Sequence, residues 1–181
     1  AMSNLPVTSL ANGPVTLYKF TVAADFNDVV VKAIKPAITI NDSDDEGELE
    51  VTAGTVYLYD VTSGETQLNT AGVNANALIA IDDSKVVTVA KGTSRTFEIR
   101  GTVTGVETGD SINVRIIKDS AALSDGTETA ATETAANAIA DPNNKFIWSD
   151  KSADTNGVDS KEWINSYLLT NWPTSVATLT K

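Results

Sequence analysis

The stretch "VTLYKFTV", residues 15–22, decides the fold prediction. Apolar and polar side chains alternate along it, and a period of two is typical of a half-buried β-strand. The alternation changes face once, because Val15 and Leu17 share one side whereas Tyr18 and Phe20 share the other. Such a shift predicts a β-bulge, in which one extra residue is inserted into a strand.

The chain on either side of this stretch also predicts short strands separated by turns. "DSINVRIIKD" (Asp110–Asp119) alternates with a strict period of two, and "GTVYLYDVTSGETQL" predicts a hairpin with its turn at Ser63-Gly64. A further strand region, Asp28–Ile40, is interrupted near Pro36, which cannot donate to a central ladder. Eight or more such strands predict an all-β fold, an antiparallel Ig-like β-sandwich.

The predicted domain organisation is simple. Residues 1–13 are expected to form an N-terminal tail that begins with a cloning remnant, "AMS", and residues 14–181 a single sandwich domain. Within that domain, residues 120–143 contain the tandem repeat "TETAATETAA", which combines helix-favouring alanine with helix-opposing threonine and has no apolar stripe. We expect one long Ala/Thr-rich surface excursion there, which can include one helical turn, rather than a second domain.

Composition removes several classes of function. The chain has 13 basic and 24 acidic residues, a net charge of −11, which argues against nucleic acid as a partner. It has no histidine and no cysteine, so Ser–His and Cys–His nucleophiles are excluded. No apolar run approaches the length that membrane insertion needs. An enzyme built on two carboxylates about 5–9 Å apart in a cleft stays open, but the acids lie mostly in loops, and we expect no enzymatic activity.

One acidic turn is a candidate calcium site. "NDSDDEGELE" (Asn41–Glu50) places Asp42, Asp44 and Glu46 at positions one, three and five of a calcium loop, with Gly47 at position six. The bidentate glutamate of position twelve is missing, because Ala53 stands there, and the flanking segments predict strands rather than helices. Calcium is therefore a candidate cofactor, and the alternative is a charged loop that keeps a strand end soluble.

Two weaker candidates lie elsewhere in the sequence. Asp154 and Asn156 imitate the start of a second calcium loop, although Asn-Gly is also a good tight turn. Trp172 is the tryptophan expected to be exposed and available to a ligand, whereas Trp148 and Trp163 are expected to fill the core.

An intramolecular Lys–Asn isopeptide bond is a further possibility. It would use Lys19 or Lys32 with Asn113 or Asn165. A lysine in a strand usually faces solvent, which argues against it.

Four segments carry a resemblance to a known class of protein: "VTLYKFTVAAD", "VYLYDVTSGETQL", "KGTSRTFEIRGTV" and "FIWSDKSA…EWINSYLL". Together they resemble Ig-like β-sandwich modules of bacterial cell-surface and S-layer-like proteins, especially large exported proteins of uncultivated small-genome bacteria of the candidate phyla radiation. The most specific elements are Trp148-Ser149-Asp150 and the pair Trp163 and Tyr167.

The resemblance implies an extracellular, non-enzymatic module for structure or adhesion within a longer surface protein. Its partners would be other surface-protein modules or cell-surface glycans. No catalytic residues come with it, and the acidic turn and the absence of an LPxTG-type anchor depart from the pattern. The alternative function is a carbohydrate-binding module that uses Trp172 and neighbouring tyrosines.

Overall fold

Antiparallel strands form most of the regular structure. The computed structural model describes residues 2–5, 9–44, 47–123, 134–151, 161–169 and 171–181. A single α-helix, α1 (Ala135–Ala140), and two 3₁₀ turns, Asp83–Lys85 and Ser166–Leu168, lie among the described residues. The strands are β1 (Met2–Leu5), β2 (Gly13–Ala23), β3 (Val29–Ile34), β4 (Pro36–Asn41), β5 (Glu50–Val51), β6 (Tyr57–Asp60), β7 (Thr66–Gln67), β8 (Ile79–Ala80), β9 (Val87–Val89), β10 (Ser94–Thr104), β11 (Ser111–Ile116), β12 (Phe146–Ser149), β13 (Ile164–Asn165) and β14 (Ala177–Thr180).

In the described part of the chain, the strands pair into three antiparallel sheets. The largest has the order β1-β2-β10-β6-β7, with β5 also on β10; the second runs β13-β12-β3-β8, with β9 also on β3; the third runs β14-β11-β4. Strands β3 and β4 follow each other through Lys35, whose N–H donates to Lys145 O (2.7 Å). One apolar core draws buried side chains from all three sheets. The predicted all-β antiparallel sandwich is thus confirmed.

The pairing of β2 with β10 contains the predicted bulge. Ile99 lies opposite Tyr18, whereas the next residue, Arg100, lies opposite Thr16, so Leu17 is the extra residue. Leu17 and Tyr18 are consequently both fully buried although they are neighbours in a strand. The change of face in the sequence therefore marks a real irregularity of the ladder.

Three other sequence predictions are confirmed. Strand β11 buries Ile112, Val114 and Ile116. Strands β6 and β7 form the predicted hairpin, and Gly64 in its turn has φ +138°, a conformation that favours glycine. The second strand region is divided at Lys35, directly before Pro36.

Two boundaries differ from the sequence prediction. Met2–Leu5, expected to belong to a tail, pairs with Lys19–Val22 because the free edge of β2 offers unpaired backbone groups. The expected surface excursion at residues 120–143 has buried ends: Leu123, Ala135 and Ala138 pack in a second apolar cluster with Trp163. Residues 124–133 of the excursion, which hold most of the repeat, lie outside the described residues.

A side chain covers part of the edge of β4. Ile38 N–H donates to Asn76 Oδ1 (2.5 Å), and Asn76 Nδ2 donates to Ile38 O (3.1 Å). The amide thus makes the two hydrogen bonds that a neighbouring strand would make. Asn76 adopts φ +64°, a left-handed conformation that asparagine tolerates better than most residues.

In the described part of the chain, no helix has the length and apolar character needed to cross a membrane.

We predict that Phe97→Ala destabilises the protein by about 3–5 kcal/mol, because it leaves a cavity in a tightly packed core. Phe97 is fully buried and stacks on Phe20 with the ring centroids 5.4 Å apart. Thr96→Ala, one residue away on the partly exposed face, is the control and should cost less than about 1 kcal/mol. Urea unfolding of both variants measures the difference, and equal losses would contradict this account of the core.

Candidate functional site

The acidic turn that was the first calcium candidate is held by its own hydrogen bonds. Asp42 Oδ1 accepts from Asp44 N–H (3.4 Å), and Asp42 Oδ2 accepts from Leu49 N–H (3.1 Å). The side chain of Asp42 therefore closes the turn onto Leu49, which is buried in the core. Glu46, the third candidate ligand, lies outside the described residues.

A buried carboxylate fastens this turn to a neighbouring one. Asp110, 1% exposed, accepts at Oδ1 from both Ser43 N–H and Ser43 Oγ (3.0 Å each), and at Oδ2 from Glu107 N–H (2.7 Å). The hydrogen bonds from Glu107 and Ser43 hold the pKa of Asp110 below its usual value. Gly105 brings the two turns together: a Cβ at this position would lie 2.1 Å from Glu48 O.

The described residues offer no group of three or more Asp, Glu, His or Cys side chains arranged to hold a metal ion. Asp154 and Asn156, the second calcium candidate, lie outside the described residues. Calcium binding by Asp42, Asp44 and Glu46 is a hypothesis that the described residues do not test, because Glu46 is not among them.

We predict that Asp110 contributes to acid sensitivity. Its lowered pKa means that the folded state binds its proton more weakly than the unfolded chain does, so its stabilising contribution is present above about pH 4 and is lost as the pH falls further. Asp110→Asn should lower the unfolding midpoint at neutral pH and reduce the additional loss on acidification. Glu48→Gln, an exposed acid of the same turn, is the control. Identical pH profiles for wild type and Asp110→Asn would contradict this role.

We also predict that thermal unfolding midpoints in EDTA and in millimolar calcium coincide. The expectation follows from the protein hydrogen bonds that already hold Asp42 and Asp110. A ligand that binds only the native state must raise the midpoint by mass action. A rise in calcium that Asp44→Ala abolishes would instead establish the metal site.

The three tryptophans are placed differently from one another. Trp163 is 2% exposed, as predicted for a core residue. Trp148 is half-buried and donates from Nε1 to Asn165 O (3.1 Å). Trp172 was expected to be exposed; this is wrong, because its indole packs against the core, donates to Ile116 O (3.2 Å) and meets Phe146 edge-on at 5.3 Å.

The lysines and asparagines considered for an isopeptide bond have other partners. Lys19 Nζ lies 3.0 Å from Glu98 Oε1, and Lys32 Nζ lies 2.6 Å from Asp83 Oδ1. Asn113 accepts from Thr178 Oγ1 (2.7 Å), and Asn165 donates to Asn144 Oδ1 (3.1 Å). None of these contacts joins one of the two lysines to one of the two asparagines.

A charged cluster covers the middle of the largest sheet. Glu98 is 7% exposed and contacts Lys19 and Arg100, whose Nη2 lies 2.6 Å from Glu98 Oε2. Burial opposes ionisation of Glu98, but the hydrogen bonds and charges of Lys19 and Arg100 outweigh it and lower its pKa. Arg100 also lies 4.5 Å over the ring of Tyr59. These side chains bind one another across three strands and so stabilise the sheet surface.

A second buried carboxylate holds the segments that follow β11. Asp119, 5% exposed, accepts from Lys145 N–H (2.6 Å), Phe146 N–H (3.3 Å), Ser166 N–H (2.9 Å) and Ser166 Oγ (2.6 Å). Asn165 extends the network by donating to Ala121 O (3.0 Å). Asp119 therefore joins the start of β12 to the 3₁₀ turn Ser166–Leu168 by satisfying backbone donors of both.

We predict that Asp119→Ala lowers the free energy of unfolding by more than about 2 kcal/mol, because it leaves several buried N–H groups without an acceptor. The exposed neighbour Ser120 provides the control: Ser120→Ala should change stability by less than about 0.5 kcal/mol. Urea unfolding compares the two variants. A loss in Asp119→Ala no larger than the control's would show that the network is not a structural fastening.

An open cleft of about 360 Å³ lies at the opposite end of β2 from the acidic turn. Its floor consists of buried apolar side chains, namely Val22, Ala24, Val31 and Phe146, with Leu169 beside them. Phe26 and Trp148 add aromatic surface. The polar residues around it are Asp25, Asn27, Asp150 and Asn171.

The loop that carries Phe26 is fastened at both ends. Ala24 N–H donates to Thr93 O (3.0 Å), and Gly92 N–H donates to Ala24 O (2.7 Å). At the other end, Asp28 Oδ1 accepts from Lys91 N–H (2.8 Å). Phe26, 84% exposed, is thus presented by an anchored loop. Sequence reasoning missed this cleft because its walls come from segments far apart in the chain.

The cleft does bring two carboxylates, Asp25 and Asp150, to one place. A glycosidase also uses two acids, but its general acid is typically kept in an apolar environment, whereas Asp25 is exposed. No protein-family model, curated protein or solved structure matches this chain.

Proposed function

We propose that the chain is a non-enzymatic module for structure or adhesion on the outside of a bacterial cell, with an Ig-like sandwich as its scaffold. The observation that carries the proposal is that the buried carboxylates bind donors within the protein and so link its segments. Asp110, Asp119 and Glu98 are each bound by protein donors from another segment of the chain, Lys19 in the case of Glu98. Fully bonded polar networks of this kind make a fold rigid, which suits a load-bearing or display scaffold.

The resemblance to bacterial surface and S-layer-like modules supports the same proposal, and it suggests other surface-protein modules as partners. The carbohydrate-binding alternative relied on Trp172 and neighbouring tyrosines. The indole of Trp172 packs against Phe146, which weakens this alternative, whereas Tyr167 is exposed. The loops at the ends of the sandwich would then make the contacts with partners, and the rigid scaffold would hold them in place.

The test of location is immunogold labelling of the bacterium that encodes the chain, with an antibody raised against the purified protein. We expect labelling of intact cells, and loss of the label after protease treatment of the cell surface. Labelling that requires permeabilised cells would overturn the extracellular proposal.

The test of the non-enzymatic role is a panel of chromogenic glycosides, with Asp25→Asn as the matched variant. We expect no turnover by the wild type. Turnover that Asp25→Asn abolishes would make the cleft an active site and would replace this proposal.

A further inference from the structure

We propose that Asn12 is a self-modifying residue, whose side-chain amide is converted to aspartate and isoaspartate by attack of the Gly13 backbone nitrogen, and that the fold assists this reaction. The co-reactant is water. The proposal is independent of the surface-module proposal, because the reaction needs no partner protein and no enzyme.

The residue after Asn12 leaves the attacking nitrogen accessible. A side chain on that residue would crowd the approach, and glycine has none. Gly13 adopts φ +105°, and a Cβ built on it would meet no atom within 4 Å, its chain neighbours aside. Asn74 is a matched comparison within the same chain. It is also exposed, and its Oδ1 also accepts from a backbone N–H, that of Gly54 (2.9 Å), but alanine follows it.

A donor already contacts the oxygen on which charge develops during the attack. Val106 N–H donates to Asn12 Oδ1 (2.9 Å), and the two residues are 94 positions apart. Attack at Asn12 Cγ gives this oxygen a negative charge. A hydrogen-bond donor that is in place beforehand stabilises such a charge, as it does in an oxyanion hole. The fold therefore supplies to Asn12 a contact that the unfolded chain lacks.

The reaction transfers the side-chain acyl group of Asn12 between two nitrogen atoms. The Gly13 nitrogen gives up its proton and bonds to Asn12 Cγ, the Cγ–Nδ2 bond breaks, and Nδ2 takes up a proton and leaves as ammonia. Water then opens the cyclic imide that remains. Opening at Cγ gives aspartate, whereas opening at the backbone carbonyl carbon gives isoaspartate, in which the main chain runs through Cγ. Asn12 is exposed, so water reaches the imide.

Peptide mapping by mass spectrometry, after incubation of the folded protein at mildly alkaline pH, tests the site. We expect conversion at Asn12 to be at least about tenfold faster than at Asn74, because of the two only Asn12 precedes a glycine. Equal rates at the two positions would overturn the proposal. Ala75→Gly, which places a glycine after Asn74, should raise the rate there to within about threefold of the rate at Asn12. No rise in this variant would also overturn the proposal, since the glycine would then not be the cause.

The same map for the protein unfolded in urea tests the contact with Val106. In urea, Asn12 and the other Asn–Gly pair of the sequence, Asn156–Gly157, both report the rate of an unassisted pair. In the folded protein, Asn12 should react at least as fast as it does in urea, because only there does Val106 N–H contact its Oδ1. A rate in the folded protein below the rate in urea would overturn the assignment of a site that the fold assists.

Discussion

The hydrogen-bonded pairing of β10 with β2 is the interaction on which the rest of the structure depends. Strand β10 is paired along both edges, with β2 on one side and β5 and β6 on the other. It thereby places Phe97 against Phe20 in the core and Glu98 against Lys19 on the opposite surface. The same pairing holds the bulge at Leu17, which lets two consecutive side chains enter the core. Both the acidic turn and the cleft lie beyond the ends of this long ladder.

The second constraint is the position of two acids at the ends of β11. Asp110 directly precedes the strand, and Asp119 follows it after two intervening residues. Each is almost completely buried, and each accepts hydrogen bonds from backbone N–H groups of another segment. Buried N–H groups need acceptors, and a carboxylate provides several at once. One short strand thus carries the attachments that order loops at both of its ends.

The sequence allowed local features to be predicted well, and long-range ones poorly. The bulge at Leu17, the hairpin at Ser63-Gly64 and the period of β11 all depend on side chains within a few residues of one another. The packing of Trp172 depends on Phe146 and Ile116, which lie far away in the chain and give no local signal. The same is true of the cleft, whose wall residues run from Met2 to Asn171. Acid-rich spacing suggested ligands at Asp42, and it gave no sign that this carboxylate accepts a hydrogen bond from Leu49 N–H and so closes the turn.

The edge of β4 stays covered only while the side-chain amide of Asn76 is chemically intact. Its Nδ2 donates to Ile38 O while its Oδ1 accepts from Ile38 N–H, so the protection depends on one group that is both donor and acceptor. Asparagine side chains hydrolyse slowly to carboxylates, and Asn76 is exposed to water. A carboxylate retains the acceptor but loses the donor, and it places a negative charge against the Ile38 carbonyl oxygen. Hydrolysis of this one amide would leave part of the β4 edge unpaired. Association between copies through that edge would then depend on the age of the sample.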